Sequence, residues 1–401
     1  MQNKDPRQYA GQRPGYPNGT NVSVKPPKKK SGLLGRIIRR FFLLLFTVIF
    51  LVVGALTLVM QHIFNGPSEA AKSVLTMSLL EPSATKWIPG LFMSQELVDS
   101  IKYAGKDIDA PSEETDTSQI VINLSSASVS GDSEWAAYPD GIRFEEYQGK
   151  TFNAHIMIVR DPSRVSLGLS YEYNGSNATS FSTSNPGVRL NQVMANYPNV
   201  VAAVNGGAFN DDGTSGSEVG SVAAGVTLAG GRFISNSYRG FLSSDFAPAF
   251  AGFNTENILI VAENMTEQKA SEWNIRDGCE FGPLLIVNSQ VNQSIYSGYT
   301  GGYNPRTAIG QRADGAVIFV CADGRQAGSL GATFKDVTDI MIEYGAINAA
   351  CMDGGSSSIM YYRDTEGRYG TPGEVQMMNS YSVLQTEPRR MPTFWMVAAQ
   401  Q

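Results

Sequence analysis

Gly301–Tyr361 reads GGYNPRTAIGQRADGAVIFVCADGRQAGSLGATFKDVTDIMIEYGAINAACMDGGSSSIMY. Two apolar runs, Thr307–Arg312 and Ala316–Cys321, flank Ala313-Asp314-Gly315. An Asp-Gly pair between such runs predicts a hairpin, because glycine takes the left-handed backbone that a tight turn requires. A helix is predicted over Phe334–Tyr344, with Thr333 as N-cap, Asp336 in the first turn and Gly345 just past its end. A further strand ends near Met352. Asn304-Pro305-Arg306 enters the first strand, Asp323-Gly324-Arg325 ends the second, and Asp353-Gly354-Gly355-Ser356-Ser357-Ser358 follows the last. Acids and bases at strand ends, beside glycines that leave main-chain NH groups reachable, form the layout of a ligand site.

Working outward, strands are predicted at Thr151–Val159, Val165–Glu172, Asn199–Asn205, Ile258–Ala262 and Pro283–Asn288. Val222–Leu228 is expected to pair with Arg232–Ser235 across Ala229-Gly230-Gly231, and Val188–Asn196 reads as a helix. Strands dominate and helices fall between them without a repeat period. The expected fold is α+β: one β-rich globular domain from about Tyr138 to the end, with interspersed helices.

Ahead of it the chain divides by composition. Residues 1–32 are rich in Pro, Gly, Gln and Asn, end in lysines, and read as a disordered basic tail. Phe41–Met60 is twenty residues without a charge, enough for a helix at about 1.5 Å per residue to cross a hydrocarbon layer of about 30 Å. We therefore place an uncleaved transmembrane anchor at 33–62. A cleavable signal peptide is the rival reading, but it has a shorter apolar core and a small-x-small site. Arg36, Arg39 and Arg40 precede the span, so the positive-inside rule puts the N-terminus in the cytoplasm and the C-terminal domain outside the cell membrane. Residues 63–137 read as stalk and linker. Leu91–Tyr103 is an amphipathic segment with Ser94 and Glu96 in its first turn, and Ala110–Glu134 reads as a solvated linker.

Composition excludes several chemistries. The 401 residues contain two histidines, His62 and His155, which leaves almost no material for a serine-histidine-acid triad or a histidine-rich zinc site. Cys279, Cys321 and Cys351 have no metal spacing, and two of them lie in apolar runs that predict buried thiols. Of 31 Lys and Arg and 37 Asp and Glu, ten and one fall in residues 1–40, leaving 21 basic and 36 acidic residues in an acidic body that argues against nucleic acid as a partner. Asp211-Asp212-Gly213 lacks the ligand spacing of a calcium loop. No cofactor is called for, a structural cation there being the alternative. The oligomeric state is not readable.

Each chemistry-bearing position also has a plain structural reading. Asn205-Gly206-Gly207-Ala208-Phe209-Asn210 could be a tight turn, Arg306 the partner of a structural carboxylate, and Asp353 an Asx-turn acid. Together, NGGAF, NPRTAIG with DGAVIFVCADGR, and MDGGSSS resemble, in order and spacing, the phosphodiester glycosidase domain family. That family includes lysosomal N-acetylglucosamine-1-phosphodiester α-N-acetylglucosaminidase and many bacterial envelope proteins. The resemblance covers about Tyr138 to Val397. The family usually has NGGFF and LDGGGSS, so Ala208 stands for an aromatic and Ser356 for a third glycine.

The resemblance implies hydrolysis at the anomeric carbon of a sugar-1-phosphodiester in an envelope or exopolysaccharide-type glycan. Arg306 is then expected to stabilise the departing phosphate, with Arg325 as second donor. Asp353 is the first candidate for the carboxylate beneath the sugar or activating water, and Asp323 and Glu218 are the next acids. Asn205 would bond the sugar, Gly206, Gly207, Gly354 and Gly355 would admit it to the backbone, and Ser356 and Ser357 would contact phosphate. A membrane-tethered domain that binds polysaccharide without cutting it, and a glycosidase on unphosphorylated exopolysaccharide, are the alternatives.

Overall fold

The computed structural model describes residues 32–81, 85–103, 114–124, 134–182, 184–210, 220–237, 248–297, 301–381 and 387–400. The basic tail through residue 31, Asp211-Asp212-Gly213 and Glu218 lie outside the described residues. The chain forms two compact units, Met1–Val59 and Met60–Gln401. In the first, the described residues are almost entirely helical: α1 runs Leu33–Phe64 and continues into the second unit. Its Leu34–Phe64 stretch is long and apolar enough to cross a membrane, and side chains from Leu34 to Val59 are largely exposed.

The second unit is α+β and carries three antiparallel sheets. Sheet I has the order β1 (Ile142–Gln148), β2 (Asn153–Val159), β13 (Val317–Ala322), β12 (Arg306–Arg312), β14 (Ala346–Met352), β10 (Leu284–Val287), β11 (Gln290–Val291). Sheet II runs β16 (Val375–Met377), β15 (Met360–Arg363), β4 (Val200–Asn205), β17 (Thr393–Ala398), β3 (Val165–Leu169). Sheet III runs β6 (Arg232–Ser237), β5 (Gly225–Ala229), β9 (Ile275–Phe281), β7 (Ala249–Asn254), β8 (Leu259–Glu263). Both predicted hairpins form: Ala229 faces Arg232 across the Gly230-Gly231 turn, and Gln311 faces Val317 across the Asp-Gly turn.

The inner faces of all three sheets meet in one core. Ile309, Phe319 and Met352 come from sheet I, Val204, Tyr362 and Trp395 from sheet II, and Ala251, Phe253 and Cys279 from sheet III. Trp395 is fully buried, sits edge-on to Phe253 with centroids 5.7 Å apart, and its Nε1 donates to Met352 Sδ at 3.2 Å. The three cysteines are free and buried, and burial pushes the Cys351 thiol up to about 12.

Helices cover the outer faces. Phe334, Val337, Ile340 and Met341 recur on one side of α8 (Phe334–Glu343), the next helix after the short α7 (Gln293–Tyr296), and pack on sheet I. The helix begins with a full capping box between Thr333 and Asp336. Leu190, Val193 and Met194 of α5 (Leu190–Asn196) cover sheet II, and Ala270 of α6 (Glu267–Glu272) packs with Val226 and Phe250 of sheet III. The strand expected over Val165–Glu172 stops at Leu169, where the short helix α4 (Ser170–Tyr173) takes over.

Much of the stretch read as stalk and linker belongs to this unit. Ser68 caps α2 (Glu69–Leu80), and Ser94 caps α3 (Gln95–Lys102), with Glu96 in its first turn as expected. Phe64, Met93 and Val98 form a small core with Leu75 and Leu79. Met77 on α2 joins the outer core of sheet I, and Ser78 Oγ accepts from Tyr303 N at 2.8 Å. A Cβ on Gly302 would collide with the Ser78 backbone, so glycine is needed for α2 to seat. In the supposed linker, Thr115 exchanges bonds with Val261, Val121 N donates to Ala313 O at 2.8 Å, and Ile120 is buried. A polar composition hid these attachments, which rest on one hydroxyl, one backbone NH and a single apolar side chain.

At the end of β4, the Asn205 amide ties sheet II to sheet I and is 1% exposed. Its Oδ1 accepts from Thr307 Oγ1 at 2.8 Å and from Ile359 N at 3.1 Å, and its Nδ2 donates to Asp353 O at 2.7 Å. Truncation would strand the buried Thr307 hydroxyl and Ile359 NH and the part-buried Asp353 carbonyl, each at a cost of about 1–3 kcal/mol. Asn205→Ala is therefore expected to lower the unfolding free energy by about 3 kcal/mol, read from urea denaturation followed by tryptophan fluorescence. A loss within about 0.5 kcal/mol, typical of an exposed position, would show that the amide is not a structural tie.

Candidate active site

Antiparallel register gathers the predicted strand ends along one edge. Arg306 at the start of β12 lies opposite Ala322 at the end of β13, and Thr307 lies opposite Met352 at the end of β14. Asp323 and Asp353 therefore leave sheet I beside the entry of Arg306. Asp353 N donates to Gly206 O at 3.1 Å, which brings the end of β4 to the same place.

Arg306 is held by the scaffold from several sides. Its guanidinium stacks on Phe334 at 4.0 Å, Nε donates to Ala332 O at 3.2 Å, and Nη2 donates to Gly302 O and to Glu81 Oε1, both at 2.8 Å. Among the described residues Nη1 makes no hydrogen bond. Asn304 bridges outward: Nδ2 donates to Glu81 Oε2, while Oδ1 accepts from Arg325 Nε at 3.2 Å and Nη2 at 2.9 Å.

Arg325 adopts a positive φ of 57°, an uncommon backbone state for a side chain of this size. The residue keeps part of its surface in water, yet desolvation of its guanidinium is the main cause that lowers its pKa. The neighbouring Arg306 and Arg389 push the same way, while Glu81 and Asp353 oppose them. Gly355 has φ 62°, and a Cβ there would lie 3.1 Å from Arg325 Nη2. Gly354 comes as close to Pro305 O, 3.0 Å from an added Cβ, and Gly355 N donates to Pro305 O at 2.8 Å. Arg389 stacks over Phe209 at 4.8 Å and donates from Nη1 to Ser356 Oγ at 3.2 Å. Tyr381 OH fixes the Ser356 carbonyl at 2.8 Å. Three guanidiniums and two carboxylates thus share one strand-end cluster, a setting suited to a bound anion.

Other predicted residues have different tasks. Asn205 ties two sheets, as described, instead of reaching outward. Gly206 N donates to Thr393 O and Gly207 N to Thr393 Oγ1, both at 3.2 Å. A Cβ at Gly206 would strike Thr393 and one at Gly207 the Glu280 carbonyl, so the close passage of neighbouring strands requires glycine at both positions. Asp323 is buried, with Oδ1 accepting from Ser380 N at 2.8 Å and Oδ2 lying 3.4 Å from His155 Nε2. Ser357 is buried, and its Oγ has no hydrogen-bond partner among the described residues. No group of three or more His, Cys, Asp or Glu among the described residues is placed to hold a metal ion.

Sequence reasoning missed Glu81, Asn304 and Arg389. Asn304 carried a signal, an amide before the proline that leads into Arg306. Arg389 belongs to an Arg-Arg pair that precedes β17. Glu81 carried none, since it lies 221 positions before Gly302 and 225 before Arg306 and nothing local marks it.

Residues 198–398 match the phosphodiester glycosidase family. A prophage-derived uncharacterized protein of Bacillus subtilis (strain 168), YomE, is 42% identical over 96 residues, which are 23% of this chain and 14% of that protein. The match therefore spans about one seventh of the length of that curated relative. Among solved structures, the catalytic domain of zebrafish N-acetylglucosamine-1-phosphodiester alpha-N-acetylglucosaminidase, auto-inhibited by its pro-peptide, has a TM-score of 0.43 at 18% identity, with 65% of this chain and 82% of that chain covered. A hypothetical protein from Synechocystis has a TM-score of 0.40 at 13% identity, with 65% and 61% covered. With half of its length matched by the family, the chain belongs to the phosphodiester glycosidases.

Proposed function

We propose that this protein hydrolyses the anomeric C–O bond of a sugar-1-phosphodiester at the cluster of Arg306, Arg325, Arg389 and Asp353, and that α1 anchors it in a membrane with the catalytic unit on the extracytoplasmic side. The observation that carries the reading is the convergence of Arg306 and Arg325 on the Asp353-Gly354-Gly355 turn, in a chain of this family. Family membership supports the reaction class. The apolar helix and the arginines before it support the anchor.

In the proposed reaction a water oxygen bonds to C1 as the bond from C1 to the phosphate oxygen breaks. The bonding pair leaves with the phosphate, and the water proton passes to a base. A phosphomonoester has a second pKa near 6, so at neutral pH the leaving group needs little protonation and chiefly needs its new charge stabilised. Arg306 Nη1 and Arg325 are assigned that work. One carboxylate then suffices on the sugar side, and Asp353 is assigned to it, as base or as stabiliser of the oxocarbenium-like sugar. Asp323, bonded to Ser380 and set against His155, is not required. The substrate sought is an envelope or exopolysaccharide-type glycan carrying such a linkage.

Arg306→Lys keeps the charge and loses the planar fork, so it is expected to lower kcat on a glycosyl phosphodiester by at least a hundredfold while changing turnover of an aryl glycoside far less. Equal losses on both would remove phosphate from the role of Arg306. Asp353→Asn is expected to yield a folded protein with Tm within a few degrees of the parent and no detectable release of sugar from the phosphodiester. Retained turnover would take Asp353 out of the mechanism.

A further inference from the structure

Glu81 is the unexpected member of the cluster. It follows α2, lies outside the family-matched residues 198–398, and its carboxylate accepts from Arg306 Nη2, Asn304 Nδ2 and, at 3.1 Å, Gly302 N. Arg306 does not need it for placement, because Phe334, Gly302 O and Ala332 O hold the guanidinium independently. Nor is α2 loosely laid on: Thr76 is fully buried, Met77 enters the core, and Gly302 packs directly on the Ser78 backbone. What Glu81 adds is charge. Among the described residues, with the Asp323 carboxylate turned to Ser380 N and His155, the guanidiniums of Arg306, Arg325 and Arg389 against the carboxylates of Glu81 and Asp353 leave a formal balance of one positive charge, and without Glu81 the balance would be two.

We propose that Glu81 is a specificity-determining residue that matches the arginine cluster to a phosphodiester monoanion and against a phosphomonoester dianion. This rests on the reading of the cluster as a phosphodiester site. The substrate carries one negative charge at phosphate, and the released monoester carries nearly two at neutral pH, its second pKa being near 6. A site of net charge plus one holds the dianionic product less tightly, relative to the reactant, than a site of plus two would. Coulomb energy is linear in ligand charge, so removing the Glu81 charge favours a dianion about twice as strongly, on a logarithmic scale, as a monoanion.

The test is calorimetric binding of dimethyl phosphate (a monoanion) and methyl phosphate (a dianion) at pH 8 to the full chain in detergent, parent and Glu81→Gln. Glutamine keeps one oxygen as acceptor for Gly302 N and Arg306 Nη2 and gives up the bond from Asn304 Nδ2. The expected result is a gain of at least tenfold in methyl phosphate affinity and about the square root of that, roughly threefold, for dimethyl phosphate. Equal gains for both ligands would overturn the proposal, since any anion would then be competing with a blocking carboxylate. No change in either would reduce Glu81 to a structural contact and also overturn it. Should Glu81→Gln not fold, Glu81→Ala in the full chain is titrated with the same two ligands: a larger gain for methyl phosphate than for dimethyl phosphate supports the proposal, and equal gains or none overturn it. Failure of both ligands to bind parent and variant would instead sink the phosphodiester reading of the cluster.

Discussion

The buried amide of Asn205 is the constraint on which the site geometry depends. One side chain holds the Asp353 carbonyl, the Thr307 hydroxyl and the Ile359 NH, so the end of β4 in sheet II is fixed to the start of β12 and to the turn after β14 in sheet I. An amide serves here because it presents an acceptor and a donor in one plane, and both are needed. A carboxylate would repel the Asp353 carbonyl, and an aliphatic side chain would leave three polar groups unpaired. With this tie in place, Asp353 is set beside Gly206, while Arg306 enters sheet I one residue before Thr307.

The arrangement explains how a cation is kept in a place that disfavours it. Arg306 is 5% exposed, and burying a charge costs several kcal/mol unless partners replace water. Its partners are two carbonyls, an aromatic face and the Glu81 carboxylate. Arg325 sits nearby in a left-handed backbone conformation, in the field of two other arginines. Like charges held together by folding raise the local demand for an anion, and strain at a non-glycine positive φ is the sort of cost that persists where the surroundings over-determine it.

Legibility of all this in the sequence followed the range of the interactions. Both hairpins with glycine turns and the capped helix α8 were readable, because turn chemistry and capping act within a few residues. The seven residues of β1, IRFEEYQ, were not: the strand lies at the edge of sheet I and half of it faces out, so its pattern carries charges. In the site, Arg306, Arg325 and Asp353 were marked by strand-end position, and the structure brings these three together. Asn205, Gly206 and Gly207 were marked by the same local pattern yet serve packing and sheet linkage. A glycine that lies against a guanidinium and a glycine that lets another strand approach are identical in sequence; only the neighbour, Arg325 or Thr393, separates them.

The two departures from the family pattern can be read with the same distinction. Ala208 is buried and clusters with Ala224 and the partly buried Phe281, so a larger side chain at 208 would have to be accommodated within packed protein. That departure belongs to how β9 lies against the end of β4, and it leaves the charged cluster unaltered. Ser356 differs in kind. Its hydroxyl accepts from Arg389, and its carbonyl accepts from Tyr381, whose hydroxyl in turn accepts from Arg389 N. A glycine at 356 would keep the carbonyl contact and lose the hydroxyl. In this chain the third guanidinium is therefore tied to the turn that carries Asp353 through a residue in which the sequence departs from its family, and the charge balance around the proposed phosphate site is a property of this protein's own side chains.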